Sequence, residues 1–215
     1  MRTIPASELI INADGSIFHL HLQPEQLADH VVLVGDPERV TKVAAYFDTR
    51  ECEVSSREFH TITGRYKGKR ITVISHGIGT DNIDIVLNEL DALANIDLAT
   101  RTQKPDFRRL TLVRVGTSGG LQPSTPVGTY VAAEKSIGFD GVLYFYAGNA
   151  AVRDLAFESA LCKQLNWPLT GIYPYVVASD ASLLEQITRD DILRGVTIAA
   201  NGFYGPQGRE LRLPL

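Results

Sequence analysis

The chain has 215 residues, 44% of them hydrophobic and 21% charged, with a formal net charge of −4. That length and apolar share suffice for a buried core without disulfide or metal staples. The mild acidity, with no basic run, excludes nucleic acid and anionic membrane surfaces as general partners, so any anion site must be local.

Two cysteines, Cys52 and Cys162, follow neither a disulfide framework nor a metal-ligand spacing, which fits a reducing compartment. No stretch reaches the roughly 18 consecutive apolar residues of a membrane span. Met1–Ala13 lacks the charged and apolar regions of a secretion signal, so a soluble cytoplasmic protein is the expectation.

In chain order, Asp14-Gly15-Ser16 marks a turn, and Ile17–Leu22, with Phe18, Leu20 and Leu22 alternating with His19 and His21, predicts a short edge segment. Histidines on such a segment are more often surface or satisfied residues than ligands. Val31–Val34 predicts a buried strand running into Gly35-Asp-Pro-Glu-Arg39 and a helix to about Phe47. Asp36 suits the N-cap, Pro37 the first helical position and Glu38 the positive end of the helix dipole. Capping leaves Arg39 unexplained, since a cation in the first turn is disfavoured unless an anion binds there too. Gly35 is not part of a G-x-G-x-x-G fingerprint, so no dinucleotide is implied.

Residues 57–66 and 70–75 flank Lys67-Gly-Lys69 and predict a β-hairpin. Its second strand ends in Ser75-His-Gly-Ile-Gly79, and from Asn82 to Ile96 the apolar residues follow helical spacing. Strand, glycine turn and helix thus occur twice, the pattern of an α/β domain with its loops gathered at strand ends. Residues 97–109 predict an exposed connector.

Leu110-Thr-Leu-Val-Arg-Val-Gly-Thr-Ser-Gly-Gly120 is the stretch richest in chemistry. Leu110–Val115 predicts a buried strand, and Arg114 within it needs an anion or an opening to water, because a guanidinium does not shed its proton. Gly116, Gly119 and Gly120 free the backbone to turn N–H groups inward, and Thr117 and Ser118 add hydroxyl donors, the parts of an oxyanion cradle. An arginine paired with an internal carboxylate and followed by an ordinary turn fits the stretch equally. Further strands are predicted over 128–133, 173–178 and 196–200 and a helix over 153–165. The loop Asn201–Arg209 joins two aromatics, Gln207 and Arg209, which suit stacking and edge-bonding of a planar heterocycle.

Taken together, Phe18-His-Leu20, Gly35-Asp-Pro-Glu-Arg39, Arg57-Glu-Phe59, Gly77-Ile-Gly79, Arg114-Val-Gly-Thr-Ser-Gly119 and Phe203-Tyr-x-x-Gln-x-Arg209 resemble, in that order, the nucleoside phosphorylase family, and within it the uridine-specific branch. The resemblance runs from about Phe18 to Arg209. It implies a single α/β domain with a central twisted mixed sheet, partly barrel-like, flanked by helices. It also implies reversible phosphorolysis of uridine to uracil and ribose 1-phosphate, with inorganic phosphate as co-substrate and neither cofactor nor metal. Gly35, Arg39, Arg114 and Thr117 match the family's phosphate ligands, and Arg57 matches the arginine lent by a neighbouring subunit. His19 matches the residue that reaches a partner's ribose, and Phe203, Gln207 and Arg209 match the base site. A homodimer, or a hexamer built from dimers, follows from sites shared in this way.

Purine nucleoside phosphorylases and nucleosidases of the same fold, or a non-catalytic phosphate or nucleobase binder, are the alternatives. Glu58 and Ile78 match positions lining a monovalent-cation site in some bacterial members, but Asn82 stands where that site uses a hydroxyl. Two departures stand out. Ala200-Asn-Gly202 replaces the hydroxyl and carboxylate residues many relatives carry, and no Glu-x-Glu, the family's ribose-binding segment, follows Arg209. Residues 1–215 are therefore expected to form a phosphorylase domain lacking the C-terminal part of the family's length.

Overall fold

The computed structural model describes residues 2–214. These fall into two compact units, divided in sequence between Thr117 and Ser118. The first contains β1 (His30–Val34), α1 (Pro37–Ala44), β2 (Thr49–Ser56), β3 (Phe59–Tyr66), β4 (Lys69–Ser75), α2 (Thr80–Asn95), the short strands β5 (Ile96–Asp97) and β6 (Thr102–Gln103), and β7 (Thr111–Val115). The second contains β8 (Tyr130–Gly138), α3 (Leu155–Leu165), β9 (Tyr175–Ala178), α4 (Ala181–Ile187) and β10 (Ile192–Ala199).

The main sheet of the first unit has the order β2-β3-β4-β1-β7. β1 runs parallel to β4 and β7, while the β2–β3 and β3–β4 pairs are antiparallel. Alternation along β1 explains why helices cover both faces. Val31 and Leu33 enter one core with Val86, Leu90 and Leu93 of α2, whereas Val34 enters a second with Val40 and Ala44 of α1. β4 divides likewise, Ile74 to the first core and Val73 to the second. The expected α/β architecture, a mixed sheet flanked by helices, is therefore present. The sheet is open, with β2 and β7 as its edges, and no closed barrel forms among the described residues.

Local signals explain several elements. The β3–β4 hairpin turns at Lys67 and Gly68, both at positive φ (48° and 78°), the two-residue geometry that matches strand twist. Asp36 caps α1 as expected, its carboxylate accepting from Glu38 N at 2.9 Å. Elsewhere the structure differs from the expectation. Ile17–Leu22 is no edge strand but a turn whose Ile17, Leu20 and Leu22 are buried in the core. β7 is only half-buried, with Arg114 and Val115 exposed, because it lies at a sheet edge. β2, α4 and the β5–β6 pair were not predicted.

In the second unit the strand order is β10-β8-β9, with β8 parallel to β10 and antiparallel to β9. Its buried anchor is ionic. Glu158 of α3 is 6% exposed and pairs with Arg153 at 2.5 Å. It also accepts from Val176 N at 2.8 Å, fastening α3 to β9. Among the described residues no helix is long and apolar enough to cross a membrane.

Candidate active site

The parallel register assembles one cluster. Val34 of β1 stands opposite Ser75 of β4 and Val115 of β7. The next residue on each strand, Gly35, His76 and Gly116, therefore leaves the sheet at the same edge, the place where open α/β sheets bind ligands. His76 N donates to Val34 O at 2.8 Å, and a methyl on Gly35 would stand 3.8 Å from His76 Cε1.

Arg114 lies over this edge. A methyl on Gly116 would come within 2.9 Å of Arg114 Cζ, so the guanidinium occupies space that only glycine leaves open. Its Nε donates to His76 Nε2 at 3.1 Å. No carboxylate pairs with it among the described residues, which removes the internal ion pair from the two readings of this arginine. Arg39, half-buried in the first turn of α1, likewise has no carboxylate partner among them. Thr117 follows in the exposed, irregular segment after β7.

His76 is the site residue that sequence reasoning passed over. It is 4% exposed, and Nδ1 is buried without a hydrogen-bond partner. Accepting at Nε2 places its proton on Nδ1. Burial first, and the Arg114 charge second, hold its pKa below the ordinary histidine value. With the folded value depressed, the stability it confers is full above the unfolded value and is lost as pH falls through the folded one. Thermal melts of wild type and His76→Gln are therefore expected to separate only on the acid side, wild type losing more as pH falls. Parallel curves would contradict the assignment.

A second group gathers around Phe18. Arg57 occupies the two-residue β2–β3 turn with φ 56°, its Cζ 6.0 Å from the Phe18 ring centroid. The His19 ring meets Phe18 edge-on at 4.7 Å. Glu89 of α2, a residue the sequence did not single out, accepts from His19 Nδ1 at 2.5 Å and from the backbone N–H groups of His19 and Leu20 at 3.1 and 2.9 Å. That fixes the proton on Nδ1 and leaves Nε2 for a ligand. Phe18, His19 and Glu89 line a cleft of about 380 Å³.

The second unit brings the predicted base residues together. Arg209 Cζ stands 4.1 Å from the Phe203 ring centroid, and its Nη1 donates to Phe203 O at 2.8 Å and to Gln207 Oε1. Gln207 Nε2 donates to Gly202 O at 3.1 Å. An aromatic face, an amide and a guanidinium thus share one exposed loop. Among the described residues no group of His, Cys, Asp or Glu side chains is placed to hold a metal.

Comparison with known proteins gives the chain's family. The family model described as the phosphorylase superfamily matches residues 29–214. The uridine phosphorylase of Thermococcus kodakarensis is 33% identical over 198 residues, 91% of this chain and 59% of that protein. The chain thus spans less than two thirds of that relative's length. The DeoD-type purine nucleoside phosphorylase of Roseobacter denitrificans is 30% identical over 208 residues, 92% of this chain and 83% of that protein. A solved Trypanosoma brucei nucleoside phosphorylase, described as showing uridine phosphorylase activity, superposes with a TM-score of 0.81 at 30% identity, covering 95% of this chain and 72% of that one. From the motif order, the site geometry and these matches, the chain belongs to the phosphorylase superfamily.

Proposed function

We propose that the protein is a uridine phosphorylase, converting uridine and phosphate reversibly to uracil and ribose 1-phosphate, with residues 1–215 acting as one nucleoside phosphorylase domain. The observation that carries the reading is the Phe203–Gln207–Arg209 cluster: a ring to stack on, and paired amide and guanidinium groups suited to the two carbonyls and ring N–H of a pyrimidine. Phosphate is the co-substrate, and the reaction draws on no cofactor.

In this reading Gly35, Arg39, Arg114 and Thr117, with Arg57 from a partner, hold phosphate beneath C1′ as a near-attack nucleophile. A phosphate oxygen forms the new bond to C1′ as the C1′–N1 bond breaks, and the electron pair leaves with uracil. Fixed positive charge beside the phosphate favours an arrangement in which a cationic sugar forms next to a dianion. Arg209 and Gln207 accept the charge growing on the leaving base through hydrogen bonds that strengthen as the bond breaks. Ground-state binding gains less from them than the transition state does.

His19 and Arg57 meet at the same Phe18, which supports a site shared across a homodimer, alone or within a hexamer. His19, its Nδ1 held by Glu89, offers Nε2 to the partner's ribose. The free Cys52 and Cys162 suit a cytoplasmic setting.

The Roseobacter relative, a purine nucleoside phosphorylase matched over more of its length, favours a second reading with purine substrates. Initial rates on uridine and inosine decide between them. The uridine reading predicts a clear preference for uridine, and Arg209→Ala lowering kcat/KM for uridine at least about tenfold, mainly through kcat, the cost of a charged hydrogen bond that strengthens in the transition state. Faster turnover of inosine would replace it with the purine reading.

A further inference from the structure

The geometry points to His76 as a positioning residue: its neutral imidazole, accepting from Arg114 Nε, sets the guanidinium so that both terminal nitrogens face a bound oxyanion. The inference rests on the phosphate reading of Arg114 and adds a residue to it.

Three observations converge. The Arg114 Nε to His76 Nε2 distance is 3.1 Å, so His76 occupies Nε and leaves the Nη pair free for an end-on bidentate contact with phosphate. No carboxylate holds Arg114 among the described residues, and a carboxylate would have competed with phosphate for the same fork. His76 itself is 4% exposed, with Nδ1 buried and unpartnered. A ring placed only to fill space would satisfy both nitrogens or give way to an apolar side chain, since an orphaned buried donor is costly. This one keeps that cost and spends its other nitrogen on Arg114.

The placement follows from the sheet. Arg114 pairs with Leu33 in the β1–β7 register, and His76 is the first residue beyond β4 on the other side of β1. The ring therefore reaches across the end of β1 beside Gly35, where a methyl would stand in ordinary contact with it, 3.8 Å from Cε1. A neutral acceptor suits the task better than an acid, because it orients the guanidinium without cancelling the charge that phosphate needs.

The test is calorimetric titration of inorganic phosphate into the 215-residue chain, its His76→Phe and His76→Gln variants, and each change repeated in an Arg114→Ala background. His76→Phe is expected to weaken phosphate binding about tenfold, the loss of one charge-assisted hydrogen bond. His76→Gln, whose amide oxygen reaches the Nε2 position, should restore it to within about threefold of wild type. In the Arg114→Ala background His76→Phe should change nothing further, because the residue acts only through that arginine. Equal weakening in both backgrounds, or failure of glutamine to rescue, would overturn the positioning role. Should His76→Phe not fold, His76→Asn, whose acceptor is one methylene short, replaces it: binding weaker than in His76→Gln supports the role, and equal binding overturns it. Wild-type protein that binds no phosphate would overturn the phosphate reading itself, an outcome distinct from these.

Discussion

Arg114→Ala is expected to lower kcat/KM for phosphorolysis by about 10²–10³-fold, the usual consequence of removing one preorganised donor aimed at charge in a transition state. The side chain is exposed at the end of an edge strand, folded over Gly116, and bonded within the protein only through Nε to His76. Little of the packing rests on it, but its loss leaves the buried His76 Nε2 without a donor, so stability should fall by about 1–2 kcal/mol. Arg114→Lys should recover only part of the loss, because an ammonium supplies the charge without the planar fork. Loss of activity in a protein that remains fully folded at the assay temperature identifies a group used by the reaction. A near-normal rate would remove Arg114 from the phosphate site.

Glu158→Ala is expected to destabilise the second unit by about 3–5 kcal/mol, as breaking one side of a buried ion pair does. The carboxylate is 6% exposed and accepts three hydrogen bonds, from Arg153 Nε and Nη2 and from Val176 N. Arg153 also donates to Asn149 Oδ1 at 3.1 Å and lies 4.7 Å from the Tyr144 ring centroid. Removing the glutamate strands both a guanidinium and a backbone N–H that water reaches poorly. Urea unfolding measures the loss. Replacing both partners, as Arg153→Met with Glu158→Leu, should recover most of it, since no charge is left unpaired. A single variant within 1 kcal/mol of wild type would show that the pair is effectively solvated.

Much of the architecture was legible because local chemistry and tertiary structure agree. Lys67-Gly-Lys69 gave the hairpin, Asp36-Pro37 opened the helix, and the apolar run Val31–Val34 marked an interior strand. β2 was hidden because Thr49–Ser56 is a polar edge strand with exposed or half-buried residues throughout, so no apolar alternation announced it. The alternation of Phe18, Leu20 and Leu22 with His19 and His21 imitates an edge strand, whereas Ile17, Leu20 and Leu22 are drawn into the core from a turn. The seven-residue α4 carried too little periodicity to be seen.

The candidate site divides along the same line. Arg39 and Arg114 stood out as cations that their local structure did not explain, and the 203–209 loop by the company of its side chains. His76 did not stand out, because its meaning depends on β4 lying beside β1 with Ser75 opposite Val34, a pairing between segments about 40 residues apart that no local pattern encodes. Glu89 was missed for a similar reason. On α2 it reads as one more surface acid, and only the turn at His19 and Leu20, about 70 residues earlier, reveals its three donors.

The most direct test of the central claim is the release of uracil from uridine, followed by ultraviolet absorbance with phosphate present and with phosphate removed. The account predicts release that depends strictly on phosphate and saturates with it, with ribose 1-phosphate formed one for one with uracil. Release at the same rate without phosphate, with free ribose as the product, would contradict it, because water would then be the nucleophile and Arg39 and Arg114 would have no anion to hold.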